Sequence, residues 1–209
     1  MRIFVAIDLD LEIRAKIGRF LDGVRGFAPE ARWVRPESLH VTLKFIGEQK
    51  AEQVKAVAEA LKRVTGPSVE IQFGGYGFFP SAKAPRVFWI GIQAGPELGN
   101  LANNVDAAMA KLGIPREERA FSPHLTLARR GGGSGSPRWR KGDEPNATFS
   151  VLDKRLGAMD SLDFGTMTAR EYCLYQSQLS PEARSTQNCI GLHCSNPTLW
   201  PSSCPLTLI

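Results

Sequence analysis

His40-Val41-Thr42-Leu43 and His124-Leu125-Thr126-Leu127 repeat one phrase, an imidazole and a hydroxyl two residues apart, in a chain with three histidines. In an extended strand alternate side chains share a face, so His40 and Thr42 point one way while Val41 and Leu43 point the other. The same parity separates His124 and Thr126 from Leu125 and Leu127. Two imidazoles facing one cleft would supply a proton acceptor and a proton donor, because an unperturbed histidine titrates near pH ~6.5. Either phrase alone is an ordinary strand with a polar face. The pair is the signal.

The elements that must position the two phrases are repeated as well. Arg2-Ile3-Phe4 opens an apolar run through Ile7, and Arg86-Val87-Phe88 opens another through Ile92. Arg2 to Arg86 and His40 to His124 both span 84 residues. Between strand and histidine, Ile13, Ile17, Phe20, Leu21 and Val24 recur at helical spacing in the first half. Leu98, Leu101, Val105, Met109 and Leu112 do so in the second, with Pro96 near the start and Gly113 just past the end. Strand, helix and His-strand thus occur twice in register, which predicts two related lobes facing each other across a pseudo-twofold. A solenoid would need three or more shorter repeats.

A further helical face runs through Val54, Val57, Ala58, Leu61 and Val64, and Val69, Ile71 and Phe73 alternate as a strand. Gly74–Pro80 is a glycine-rich stretch read as a turn region; it lacks the Lys-Ser/Thr of a phosphate loop. Later strands are expected near Phe149–Leu152, Ala158–Phe164 and Tyr172–Gln178. Without regular strand–helix alternation, the pattern predicts an α+β fold with antiparallel sheets and outer helices.

At 209 residues, 43% apolar and 22% charged, the chain is long enough for one domain or two joined lobes. No apolar stretch reaches membrane-span length. The first segment ends at Asp8 with no cleavage-site pattern, so a cytoplasmic location is expected by default. The formal charge of +5 has a single source. Residues 129–141 hold five basic side chains and no acid, in a Gly/Ser-rich stretch that also carries Trp139. As a solvated loop this composition is unremarked; next to a His-strand it suits a basic flap over a polyanion. From Ser185 to Ile209 there is no charged residue, and Cys189, Cys194 and Cys204 fall here. With His193 they match no standard zinc spacing. The chain is accordingly divided into one bilobal catalytic unit, 1–184, and an atypical tail, 185–209.

The residues suit a phosphodiester held between two imidazoles. One neutral ring removes a proton from water, and the other, protonated, delivers one to the departing oxygen. Thr42 and Thr126 would hydrogen-bond the non-bridging oxygens, and Arg129 or Arg130 would stabilise charge building at phosphorus. Strict alternation favours Arg130, although strand twist leaves both open. No metal and no cofactor is expected.

Three segments then resemble a known family: Arg2–Asp8, Trp33–Glu48 and Phe121–Arg129. They are similar to the two-histidine phosphoesterases, and within these to the bacterial and archaeal RNA 2′,3′-cyclic phosphodiesterases, long called 2′-5′ RNA ligases. Leu174–Leu179 resembles the family's closing strand. The resemblance covers roughly residues 1–182 and implies a bilobal fold around a central cleft. It implies metal-independent hydrolysis of an RNA 2′,3′-cyclic phosphate end to a 2′-phosphate, on tRNA halves or nucleotides. His40 would be the proton donor and His124 the proton acceptor, with Thr42, Thr126 and Arg129 on the phosphate. A monomer is expected. The residues themselves leave acid and base undistinguished. They also leave open a 2′-5′ ligase and a non-catalytic RNA-end binding module, the latter disfavoured because binding alone needs no paired imidazoles.

Overall fold

The computed structural model describes residues 1–131, 147–159 and 161–177, and the backbone of 186–193. The chain runs β1 (Arg2–Asp8), α1 (Leu11–Val24), β2 (Ala31–Trp33), β3 (His40–Glu48), α2 (Ala51–Leu61), β4 (Val69–Phe79), β5 (Val87–Ala94) and α3 (Pro96–Ala110). Next come β6 (His124–Arg130), α4 (Ser150–Gly157), β7 (Asp163–Ala169), β8 (Glu171–Ser177) and β9 (Thr186–His193). The strands form two antiparallel sheets, ordered β3-β1-β8-β9 and β2-β6-β5-β4-β7. This is the α+β class the sequence predicts. No helix among the described residues is long and apolar enough to cross a membrane.

The periodicities map directly onto these elements. Asp10 caps α1 by accepting from the Ile13 N–H at 2.8 Å, and Ile13, Ile17, Leu21 and Val24 turn inward. Pro96 opens α3 where its missing N–H is no loss, and Gly113, at φ +77°, turns the chain beyond the end. On β1 the residues Ile3, Val5 and Ile7 enter the main core, while Phe4, Ala6 and Asp8 face the other way.

Three expectations are corrected. Gly74–Phe79 is the second part of β4 and not a turn region. Gly75 takes φ +65° at a register shift, and Gly77 leaves room for the Trp89 ring, since a Cβ there would lie 2.3 Å from it. Phe149–Leu152 leads into α4, because Phe149, Leu152 and Leu156 bury one helical face, a spacing that a four-residue reading of alternation misses. The strand expected from Ala158 begins only at Asp163.

Residues 186–193, assigned above to the atypical tail, run antiparallel to β8 as β9. An edge strand is held by backbone hydrogen bonds, which need no charged or patterned side chain. The tail beyond 193, most of the basic loop and the side chains of Cys189 and His193 lie outside the described residues.

The two sheets share strands between the sequence halves. β4, from the first half, lies beside β5, and β8, from the second, lies beside β1. β2 pairs with β6, and the Val34 N–H donates to the Leu127 carbonyl at 2.8 Å. The helices cross as well: α1 packs on β7 and α3 on β3. At the α3–β3 contact, Lys44 is buried and reaches Asp106 at 2.5 Å and the Pro115 carbonyl at 3.0 Å. Asp106 also accepts from the Glu117 N–H at 3.1 Å. Burial pushes the Asp106 carboxyl up, but Lys44, this N–H and Arg116 more than offset it, so its pKa lies below the ordinary value.

Asp106→Ala strands a buried ammonium and is expected to cost roughly 3–5 kcal/mol, read from the urea midpoint. The double variant Lys44→Met/Asp106→Leu should recover most of that loss. An Asp106→Ala protein of wild-type stability would show that the pair does not join the halves.

Candidate active site

β3 is the edge of its sheet and packs against β6 of the other, which brings the two His-strands together. Each histidine starts its strand and is half-buried, and each ring is tethered in the same way. His40 Nδ1 lies 2.7 Å from the Ser38 carbonyl, and His124 Nδ1 lies 2.8 Å from the Ser122 carbonyl. A carbonyl only accepts, so Nδ1 carries the proton in both neutral rings and Nε2 is left as the working nitrogen. The acceptor is the main-chain carbonyl two residues before each histidine, in Ser38-Leu39-His40 and Ser122-Pro123-His124. The turn formed by Pro36–Ser38 presents the first carbonyl.

Aromatic rings brace the imidazoles. Phe4 lies 4.8 Å from His40 between centroids, and Tyr175 stacks on both at 5.2 Å from Phe4 and 5.9 Å from His40. Across the cleft Phe79 meets His124 edge-on at 4.9 Å, with Trp89 at 6.4 Å. Thr42 and Thr126 are half-buried on the histidine faces, opposite Ala6 and Trp89.

Arg129 is half-buried on β6. Burial lowers the pKa of both imidazoles, and the Arg129 guanidinium lowers both further, with Arg14 adding to the effect on His40. The Ser38 and Ser122 carbonyls act in the opposite direction. Arg130, favoured by strict alternation, is exposed at the strand end. A register shift between Phe88 and Trp89 buries both Leu127 and Ala128, which reverses parity beyond them and turns Arg129 inward.

Sequence reasoning missed the groups behind His40. A recess of about 140 Å³ there is lined by Asp8, Arg14, Glu37, His40 and Tyr175 among others. Arg14 reaches Asp8 at 3.6 Å and donates to the Leu9 and Glu37 carbonyls. Tyr175 lines the same recess as Asp8, and burial together with that carboxylate pushes the phenol far above its ordinary pKa. The available signal was Asp8 closing the Phe4, Ala6, Asp8 face of β1. Among the described residues no three His, Cys, Asp or Glu side chains gather in a metal-binding cluster.

The model of the LigT-like phosphoesterases matches the chain twice, over residues 7–89 and 90–184. The RNA 2′,3′-cyclic phosphodiesterase of Archaeoglobus fulgidus is 37% identical over 182 residues, 87% of this chain and 94% of that protein. Its namesake from Methanothermobacter thermautotrophicus is 32% identical over 184 residues, 87% and 92% of the two chains. Among solved structures, Escherichia coli LigT complexed with 3′-AMP superposes with a TM-score of 0.71 at 26% identity, covering 93% of this chain and 98% of that one.

The free protein is expected to show both histidines titrating below the ordinary value of about 6.5, each in the Nδ1–H tautomer when neutral. Nitrogen-15 NMR of the imidazoles reads both properties. A ring in the Nε2–H tautomer would remove the tether at that site.

Proposed function

Because the chain belongs to the LigT-like phosphoesterase family, we propose that it hydrolyses RNA 2′,3′-cyclic phosphate ends to 2′-phosphates, without metal, by paired histidine acid–base catalysis. The observation that carries this reading is two identically tethered imidazoles on the packed strands β3 and β6. The names of the curated relatives support the substrate. The bilobal unit of residues 1–184 acts as a monomer in the cytoplasm, on tRNA halves or free nucleotides.

In the proposed reaction His124 Nε2 takes a proton from water as its oxygen attacks phosphorus. The bond from phosphorus to the 3′ oxygen breaks, and His40 Nε2–H delivers the proton that this oxygen needs. The 2′ linkage stays, so the product is a 2′-phosphate. Arg129, Thr42 and Thr126 hold the non-bridging oxygens, with the guanidinium opposing charge as it grows at phosphorus. Solvent then removes the proton from His124 and returns one to His40. A metal is superfluous to this scheme because the two rings supply both proton transfers. The basic residues of 129–141 would draw the polyanion toward the cleft.

Incubation with a 2′,3′-cyclic-ended RNA in EDTA is expected to yield the 2′-phosphate at an undiminished rate. A rate that collapses in the chelator would remove the metal-free mechanism. His40→Ala and His124→Ala should each lower kcat by roughly 10²–10⁴-fold with RNA-end binding largely kept, and Arg129→Ala should cost about 10²-fold or more.

The profile of kcat/KM against pH should be a bell centred on the acid side of about 6.5, since burial disfavours the charged form of both rings. Activity fails at low pH as the acceptor is protonated, and at high pH as the donor loses its proton. A centre well above neutrality contradicts the assignment.

A further inference from the structure

The repeat hides acid from base, but the strands beside the histidines are not alike. Asp8 is the cross-strand partner of His40 between β1 and β3, and Gly91 is the partner of His124 between β5 and β6. The match is one residue off the 84-residue repeat, which would have set Ile92 against Asp8. A side chain cannot be accommodated at Gly91, where a Cβ would lie 2.6 Å from the Gly74 carbonyl oxygen of the adjoining strand. One lobe carries a carboxylate against its histidine, and the other is sterically barred from doing so.

The carboxylate is held from two sides. Arg14 of α1 lies 3.6 Å from it, and Tyr175 of β8, whose ring stacks on His40, lines the same recess. The groups around His40 are therefore Asp8 from β1, Tyr175 from β8, Arg14 from α1, Glu37 from the turn before β3 and Arg129 from β6, together with the Ser38 carbonyl. We propose that Asp8, held between Arg14 and Tyr175, is the positioning residue that makes His40 the proton donor, and that Gly91 leaves His124 the acceptor. This rests on the acid–base reading above, and it supplies from geometry the assignment that the repeat could not.

The physical reason is the sign of the charge. An anion beside an imidazole favours the imidazolium, and a carboxylate a few ångströms away shifts the balance by about one pKa unit or more when partly paired. Burial and Arg129 act against the charged form of both rings, and the serine carbonyls favour it in both. Asp8 acts on His40 alone and is opposed there by Arg14. Asp8 thus gives His40 a contribution toward the protonated form that His124 lacks.

The test follows each imidazole by nitrogen-15 NMR and, in parallel, the pH profile of kcat/KM on a 2′,3′-cyclic nucleotide. In Asp8→Asn the His40 titration is expected to fall by about one unit while His124 stays in place. The alkaline limb of the profile should move to lower pH by the same amount. Arg14→Gln removes a cation and should move His40 in the opposite direction, a reversal that a merely structural role would not produce. An unmoved His40 in Asp8→Asn, equal shifts in both histidines, or shifts of the same sign in both variants would overturn the proposal. A wild-type protein that leaves the cyclic nucleotide intact would overturn the phosphodiesterase reading instead, and the NMR arm still decides the role of Asp8.

Discussion

Two hydrogen bonds, from each imidazole Nδ1 to the serine carbonyl two residues upstream, decide what the cleft can do. They fix the tautomer, so that the remaining nitrogen of each ring is free to exchange a proton. They also fix orientation, because a ring bonded to its own backbone turns only with its strand. The tethers favour the charged form while burial opposes it, and burial prevails, so both rings titrate below the ordinary value. Everything else in the fold serves to bring two such rings to one place.

Bringing them together is the work of strands exchanged between the sequence halves. Each sheet takes two strands from the other half, β2 and β4 beside β6 and β5, and β8 and β9 beyond β1. The segment at β2 that leads toward His40 is itself paired to the strand of His124. Lys44, one of the few polar side chains to be deeply buried, ties β3 to α3 at the crossing. With backbone ladders and a buried ion pair spanning the halves, the distance between the imidazoles is set by the core and not by a hinge.

Much of this was readable one segment at a time. The helical faces of α1, α2 and α3 follow from apolar spacing, and the parity of His40 and Thr42 follows from strand geometry. Reading failed where a local rule met a tertiary demand. β4 looks like a turn because its glycines are punctuation in isolation, yet Gly77 is there to admit the Trp89 ring. Phe149–Leu152 looks like a strand because four residues are too few to separate period 2 from period 3.6. Arg130 looked better placed than Arg129 because a bulge, which sequence does not announce, reverses the alternation.

The chain by itself determined that there are two equivalent His-x-Thr phrases, because the repeat is written into residue types and a constant offset. It determined the fold class for the same reason, periodicity being a local property of the backbone. Only the tertiary structure decided how the equivalence is broken. Asp8 against His40 and Gly91 against His124 are neighbours across strands, and a cross-strand register belongs to pairing, not to sequence order.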